Sequence, residues 1–189
     1  MKAWLFNPFK FIAGSKALLL GLGSMLITAI VCLITTEHLD GVIDIHKGME
    51  SPAYFYFLEP GIDWLCLVLP LYISGRIFSI SAIRFIDIAG TTALARYPIF
   101  FAVLLNMLIP KDIGVPQKIL GTIQTNPHLM IQLVFVGLLI IPFIIWTVAL
   151  MYNAYSTSVN LKGQKAGWSF AVSLIIAEIL SKIIIASIM

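Results

Sequence analysis

The sequence predicts an all-α membrane protein, a single domain over residues 1–189 folded as a bundle of five transmembrane helices. Three observations predict it. The chain is 60% hydrophobic and 11% charged, with a mean hydropathy of +1.00, against about 45–50% and about 25% in an average soluble domain. Its apolar runs reach the ~20 residues that a helix needs to cross ~30 Å of hydrocarbon. Period-2 alternation is absent, so helices rather than a closed barrel must satisfy the backbone in lipid. The same composition excludes intrinsic disorder. A dispersed formal net charge of +3 gives no nucleic-acid footprint.

Residues 1–15 mix Trp4, Leu5, Phe6, Phe9, Phe11 and Ile12 with Lys2 and Lys10, and Lys16 follows. Aromatic and cationic side chains suit the headgroup zone, so this reads as a basic-aromatic interfacial segment. A plain basic flank that orients the first span explains the same residues. The first span, about 17–36, is uncharged until Thr35-Thr36-Glu37. It is too long for a signal-peptide core and lacks a small-x-small cleavage site. An acidic outer loop, 37–61, follows. The second span, about 62–80, has Asp63 and Arg76 towards its ends, and the third, about 88–109, carries Arg96. The fourth, about 129–152, is uncharged and contains Pro142, which neighbours or a kink can accommodate. The fifth, about 166–188, contains Glu178 and Lys182.

Orientation follows the Lys/Arg bias of short loops. With the N-terminus cytoplasmic, Lys2, Lys10, Lys16, Arg76, Arg84, Lys162 and Lys165 fall inside, and Lys47, Lys111 and Lys118 outside. Five crossings then put the C-terminus on the outer face. The acids do not enter that rule but contrast with it: Glu37, Asp40, Asp44, Glu50, Glu59, Asp63 and Asp112 fall outside, and Asp87 inside.

Charges within spans are expensive, at ~2.5–3.5 kcal/mol each on insertion scales, and face the bundle or water. Glu178 and Lys182 stand four apart in the order that favours an i,i+4 pair. They read as a buried couple that locks helix packing, or as a relay or polar wall. Arg96, in Ala95-Arg96-Tyr97-Pro98, is expected to snorkel to the inner headgroups. Pointing inward, it would take Glu178 as partner. Asn106, Gln132 and Asn153 read as inter-helix glue, and Gly163-x-x-x-Gly167 as a weak packing motif in a loop. Cys32 and Cys66, with no CxxC pattern, read as small apolar residues.

The loop segment Glu37-His38-Leu39-Asp40-Gly41-Val42-Ile43-Asp44-Ile45-His46 combines imidazoles with carboxylates, donors that suit Zn²⁺ or another divalent ion. In an extended segment His38, Asp40, Asp44 and His46 share one face. The spacing matches no established metal motif, and a solvated acidic loop with Asp40 beside Gly41 as a turn explains it too. His128 reads as interfacial. Walker-type, nucleophile-elbow and dinucleotide fingerprints are absent from the sequence, and no cofactor beyond a divalent metal is expected.

The arrangement resembles the Yip1 family of five-span membrane proteins, particularly its small bacterial members. Phe6-Asn7-Pro8-Phe9 before the first span, Ala93-Leu94-Ala95-Arg96-Tyr97-Pro98 in the third, and Trp146 through Asn153-Ala154-Tyr155 to Lys165-Ala166 carry the likeness. The resemblance implies an all-helical domain with a cytoplasmic N-terminus. The vesicle-trafficking role of eukaryotic members depends on a longer cytosolic region than residues 1–15 and is not implied. The expectation is a non-enzymatic bacterial inner-membrane protein that organises the bilayer or binds a membrane-protein partner or a second copy of itself. The alternatives are a small transporter or channel subunit using Arg96, Glu178 and Lys182, and an outer-face metal-binding protein or metalloenzyme using His38, Asp40, Asp44 and His46.

Overall fold

A helix pairs the backbone groups of a long apolar segment within the segment itself, and helix is what most of these segments form. In the computed structural model, which describes residues 5–48, 50–110 and 127–188, 77% of the described residues are helical. Lys2, Trp4, Lys111, Asp112 and Lys118 lie outside the described residues. Among the described residues the longer helices are α1 (Gly14–Thr35), α2 (Phe55–Phe78), α3 (Phe85–Ala95), α4 (Ile99–Asn106), α5 (Pro127–Val159) and α6 (Gly163–Ile188). With α3 and α4 taken as one segment, five are long and apolar enough to cross a membrane.

Three elements differ from the expectation, one of them α5, which runs to Val159, seven residues past the expected end. Helix α2 begins at Phe55 rather than at residue 62, so Glu59 and Asp63 belong to its first turns and not to a loop. The third segment is interrupted at Arg96-Tyr97-Pro98, where Tyr97 and Ile99 donate to carbonyls three residues back, at 3.2 and 3.0 Å. Pro98 is the cause. Its ring has no N–H and clashes with the preceding turn, so the helix restarts after it.

Helices α1 and α3 make the closest approach. A Cβ on Gly21 would meet the backbone of Ala93 and Leu94, and one on Gly90 would lie 2.9 Å from Leu18 N. Small residues that bring backbones together are the usual means of packing helices where lipid supplies no hydrophobic drive. Gly163 and Gly167 instead face open space, so their spacing serves no contact here.

Outward faces are apolar. Leu19, Ile27 and Ile34 on α1, Phe135 and Leu138 on α5, and Ile175 and Ile183 on α6 are all exposed. Polar groups point inward instead. The two ends of the bundle carry opposite charge: Lys16, Arg76, Arg84, Lys162 and Lys165 gather at one, and Glu37, Asp40, Asp44 and Glu59 at the other.

At the acidic end, Thr36 adopts left-handed φ 59° and turns the chain back across α1. Residues beyond it form a short antiparallel pair, β1 (Glu37–His38) and β2 (His46–Lys47), with Glu37 opposite Lys47 and His38 opposite His46. This hairpin is not a solvated loop. Leu39 and Val42 are buried, and Val42 joins the same core as Leu67, Leu150 and Ala177.

At the basic end, residues 5–13 run against α5 with a 3₁₀ turn at Pro8–Lys10. Phe9 enters the core. Trp146 Nε1 donates to the Leu5 carbonyl at 2.9 Å, and Asn153 Nδ2 to the Phe6 carbonyl at 2.8 Å.

Candidate functional site

The site is a polar cluster where the 37–47 hairpin enters the acidic end of the bundle. Helix α2 supplies two carboxylates one turn apart, Glu59 and Asp63, which therefore project from the same face. Glu59 clamps β1: His38 Nδ1 donates to its Oε1 at 2.6 Å, and the Leu39 N–H to its Oε2 at 3.0 Å. Asp63 pairs with Arg96, whose Nη2 lies 3.2 Å from Asp63 Oδ2, with both side chains at or below 1% exposure. Arg96 Nη1 also donates to the Val42 carbonyl at 3.0 Å. The break at Pro98 ends α3 at Ala95 and leaves Arg96 in the turn that delivers this fork to the bundle interior.

Two expectations for Arg96 are therefore corrected. It does not snorkel, because a buried carboxylate and a loop carbonyl hold the guanidinium inside. Its partner is Asp63 rather than Glu178, because α2 approaches it while Glu178 is engaged by the hairpin through the Ile43 N–H at 3.2 Å. Among the described residues, Arg96 Nε and Asp63 Oδ1 have no hydrogen-bond partner. A cavity of about 10 Å³ touches Arg96, lined by Met25, Thr28, Leu39, Pro60 and Ile99.

The hairpin is held at two further points. Glu37 Oε1 lies 2.7 Å from Lys47 Nζ, both buried, and its other oxygen accepts from Asn106 Nδ2 at the end of α4. Lys182 reaches from α6 to Asp44, with Glu178 Oε1 at 3.8 Å and Asp40 Oδ1 at 4.0 Å. The i,i+4 spacing of Glu178 and Lys182 is thus an actual pair, extended by the hairpin's acids. Arg96, Glu178 and Lys182 meet through residues 40–44 and not by touching one another. A Cβ on Gly41 would meet the Glu178 carboxylate, so a side chain there would have to displace Glu178.

Of the four candidate metal ligands the structure gathers three. Asp40, Asp44 and His46 offer atoms within 4.8 Å of one another. His38 is committed to Glu59, although its ring stacks on His46 at 5.9 Å between centroids. The donor set of one imidazole and two carboxylates suits a divalent ion, but Lys182 already supplies positive charge there. Asp40 Oδ1 lies 3.2 Å from His46 Nδ1. That contact holds the Asp40 carboxyl below the ordinary carboxylate range and raises the His46 imidazole above its usual value, against the opposing effect of burial.

Sequence reasoning missed the parts played by Glu37, Glu59, Asp63 and Lys47. One signal was available for Glu59 and Asp63: four-residue spacing beside an apolar run that begins at Phe55. The segments Phe6-Asn7-Pro8-Phe9, Ala95-Arg96-Tyr97-Pro98 and Trp146 to Asn153 converge near the basic half of α5. There Tyr97 packs edge-on against Trp146, at 5.1 Å between centroids, and Trp146 and Asn153 hold the N-terminal carbonyls.

Comparison of the chain with family models, curated proteins and solved structures finds no match.

Proposed function

We propose that the chain is a five-span integral protein of the bacterial inner membrane, N-terminus cytoplasmic, that organises the bilayer or binds a membrane partner and does no covalent chemistry. The chain's likeness to the Yip1 family of five-span membrane proteins fits the topology of this reading. The observation that carries the reading is the state of the buried charges. Arg96, Asp63, Glu59, Glu37 and Lys47 each meet an opposite charge or a hydrogen-bonding partner inside the fold. The cavity beside Arg96, about 10 Å³, is close to the least that holds one water, not the start of a pathway. The larger concavities open sideways, onto apolar surface.

Flux through reconstituted vesicles tests it. Purified chain in liposomes is expected to pass ions and polar solutes no faster than empty liposomes. Flux above that of empty liposomes overturns this reading, and its loss in the folded double variant Arg96→Met with Asp63→Leu would assign it to a transporter built on Arg96, Glu178 and Lys182. Sidedness is checked separately by thiol labelling, with Lys10→Cys expected to react from the cytoplasm and Glu50→Cys from the opposite face.

A second reading rests on the grouping of Asp40, Asp44 and His46, as a divalent-metal site at the outer face. Metal analysis of protein purified without chelator tests it. Stoichiometric zinc that His46→Ala removes supports the site, and background metal overturns it.

A further inference from the structure

A groove of about 650 Å³ runs along the side of the bundle between α2 and α6, within the ~300–1,000 Å³ typical of ligand sites. Leu69, Ile73 and Ile77 form one wall, and Val172, Ile176 and Ile184 the other. Its floor carries hydroxyls, but these are engaged with one another. Ser74 donates to the Tyr155 hydroxyl at 3.1 Å, Tyr155 to Ser169 at 2.9 Å, and Ser173 to the Ser169 carbonyl at 2.7 Å. A guest therefore meets hydrocarbon walls over polar groups already paired, which suits an alkyl chain and penalises a guest carrying buried polar atoms of its own.

The two ends of the groove differ in charge. At the end bounded by Phe78 and Trp168, Arg76 stands one turn beyond Ile73, and Lys165 continues the groove-lining row of α6 one turn before Ser169. Both cations are exposed, and neither makes an ion pair among the described residues. Trp168, 74% exposed, lies beside them, where an indole suits the headgroup level. At the Ile184 end the nearest cation, Lys182, is already surrounded by Asp40, Asp44 and Glu178. An anion is attracted to the first end and repelled from the second.

We propose that this groove is a binding site for an anionic phospholipid, one acyl chain lying between α2 and α6 and the phosphate held by Arg76 and Lys165. The inference rests on the membrane-spanning reading above and names a ligand class for it. Basic residues at one mouth of an inter-helix groove are the usual recognition element for anionic headgroups.

The full chain, reconstituted in equal phosphatidylglycerol and phosphatidylcholine and transferred to detergent, is examined by native mass spectrometry. Phosphatidylglycerol is expected to be retained over phosphatidylcholine by at least about fivefold. Arg76→Gln with Lys165→Gln should erase that preference. Val172→Trp, at an exposed position, should fill the groove and remove both lipids, and Ile176→Trp serves the same purpose if Val172→Trp does not fold. Arg84→Gln, at the same end but in a residue already bidentate to Asp87, should leave retention unchanged. Equal retention of the two lipids overturns the proposal. So does retention untouched by either tryptophan, or a dimer that the tryptophans split, which would assign the groove to a second copy. Solute flux would overturn the proposed function without altering the lipid result.

Discussion

Arg96 and Asp63 illustrate how a buried ion pair differs from a stabilising one. Each charge loses its hydration, and the pair leaves Arg96 Nε and Asp63 Oδ1 without partners among the described residues, so mutual attraction offsets the desolvation only in part. Arg96→Leu is expected to destabilise the protein by about 3–5 kcal/mol, because it strands a buried carboxylate. The double change Arg96→Met with Asp63→Leu should cost far less or even stabilise. Thermal unfolding in detergent of the two singles and the double checks this. A double no more stable than the worse single would mean that the two residues do not act as a pair.

The His46–Asp40 contact titrates nearer the surface. A raised imidazole contributes stability fully present below its ordinary value of 6.5 and lost as pH climbs through the raised one. A depressed carboxyl contributes stability present above its ordinary 3.8 and lost as pH drops through the lowered one. Asp44, Lys182 and His38 face the same pair, and the lysine stays charged throughout this range. The hairpin should thus be held best between about pH 4 and 6.5 and loosen on either side. The effect is under ~1 kcal/mol, because both groups are partly exposed. Amide exchange of residues 38–47 against pH measures it, and exchange that slows steadily from pH 6 to 9, after correction for intrinsic rate, would contradict it.

At the scale of elements, the contact between α1 and α3 is the tightest and the least tolerant. Gly21 and Gly90 leave no room for a side chain because the opposing atoms are backbone. Gly21→Leu is expected to cost ~1–3 kcal/mol or more through overpacking, whereas Gly23→Leu, two residues away and facing open space, should be nearly neutral. Unfolding midpoints of the two variants decide it, and equal midpoints would remove the argument. The break at Arg96-Tyr97-Pro98 belongs to the same scale. A proline within the third segment ends the hydrogen-bond ladder where a buried guanidinium is needed, so the interruption and the ion pair are one local solution.

For the molecule as a whole, terminal and loop segments close both ends of the bundle. Residues 5–13 are tied to α5 by side-chain donors from Trp146 and Asn153 to backbone carbonyls, with Phe9 as the apolar anchor. Asn153→Leu should release this strap and raise trypsin cleavage after the exposed Lys10 several-fold, with the five-helix fold intact by circular dichroism. Unchanged cleavage would mean that Phe9 and the Trp146 hydrogen bond hold it without Asn153. The hairpin at the acidic end is tied to α2, α4 and α6 and to the Arg96 turn, so its loosening is expected to be felt across the bundle.

The five segments long and apolar enough to cross a membrane were legible in the sequence because that is a one-dimensional requirement: enough consecutive apolar residues, read from the chain without knowledge of its neighbours. All five segments appear, with ends displaced most, by seven residues each, where Phe55 to Gly61 looked like loop and proved helical and where the fourth runs on to Val159. The i,i+4 pairing of Glu178 and Lys182 was legible for the same reason, since it lies within one helix. What only the tertiary structure decided is which charge meets which. Arg96 lies 33 residues from Asp63 and 54 from Val42, separations that carry no local periodicity. Whether His38 belongs with Asp40 or with Glu59 depended on the hairpin turning inward at Thr36. Apolar length is additive along a chain and can be summed from the sequence, but ion pairing is set by distance in space, which exists only after the helices pack.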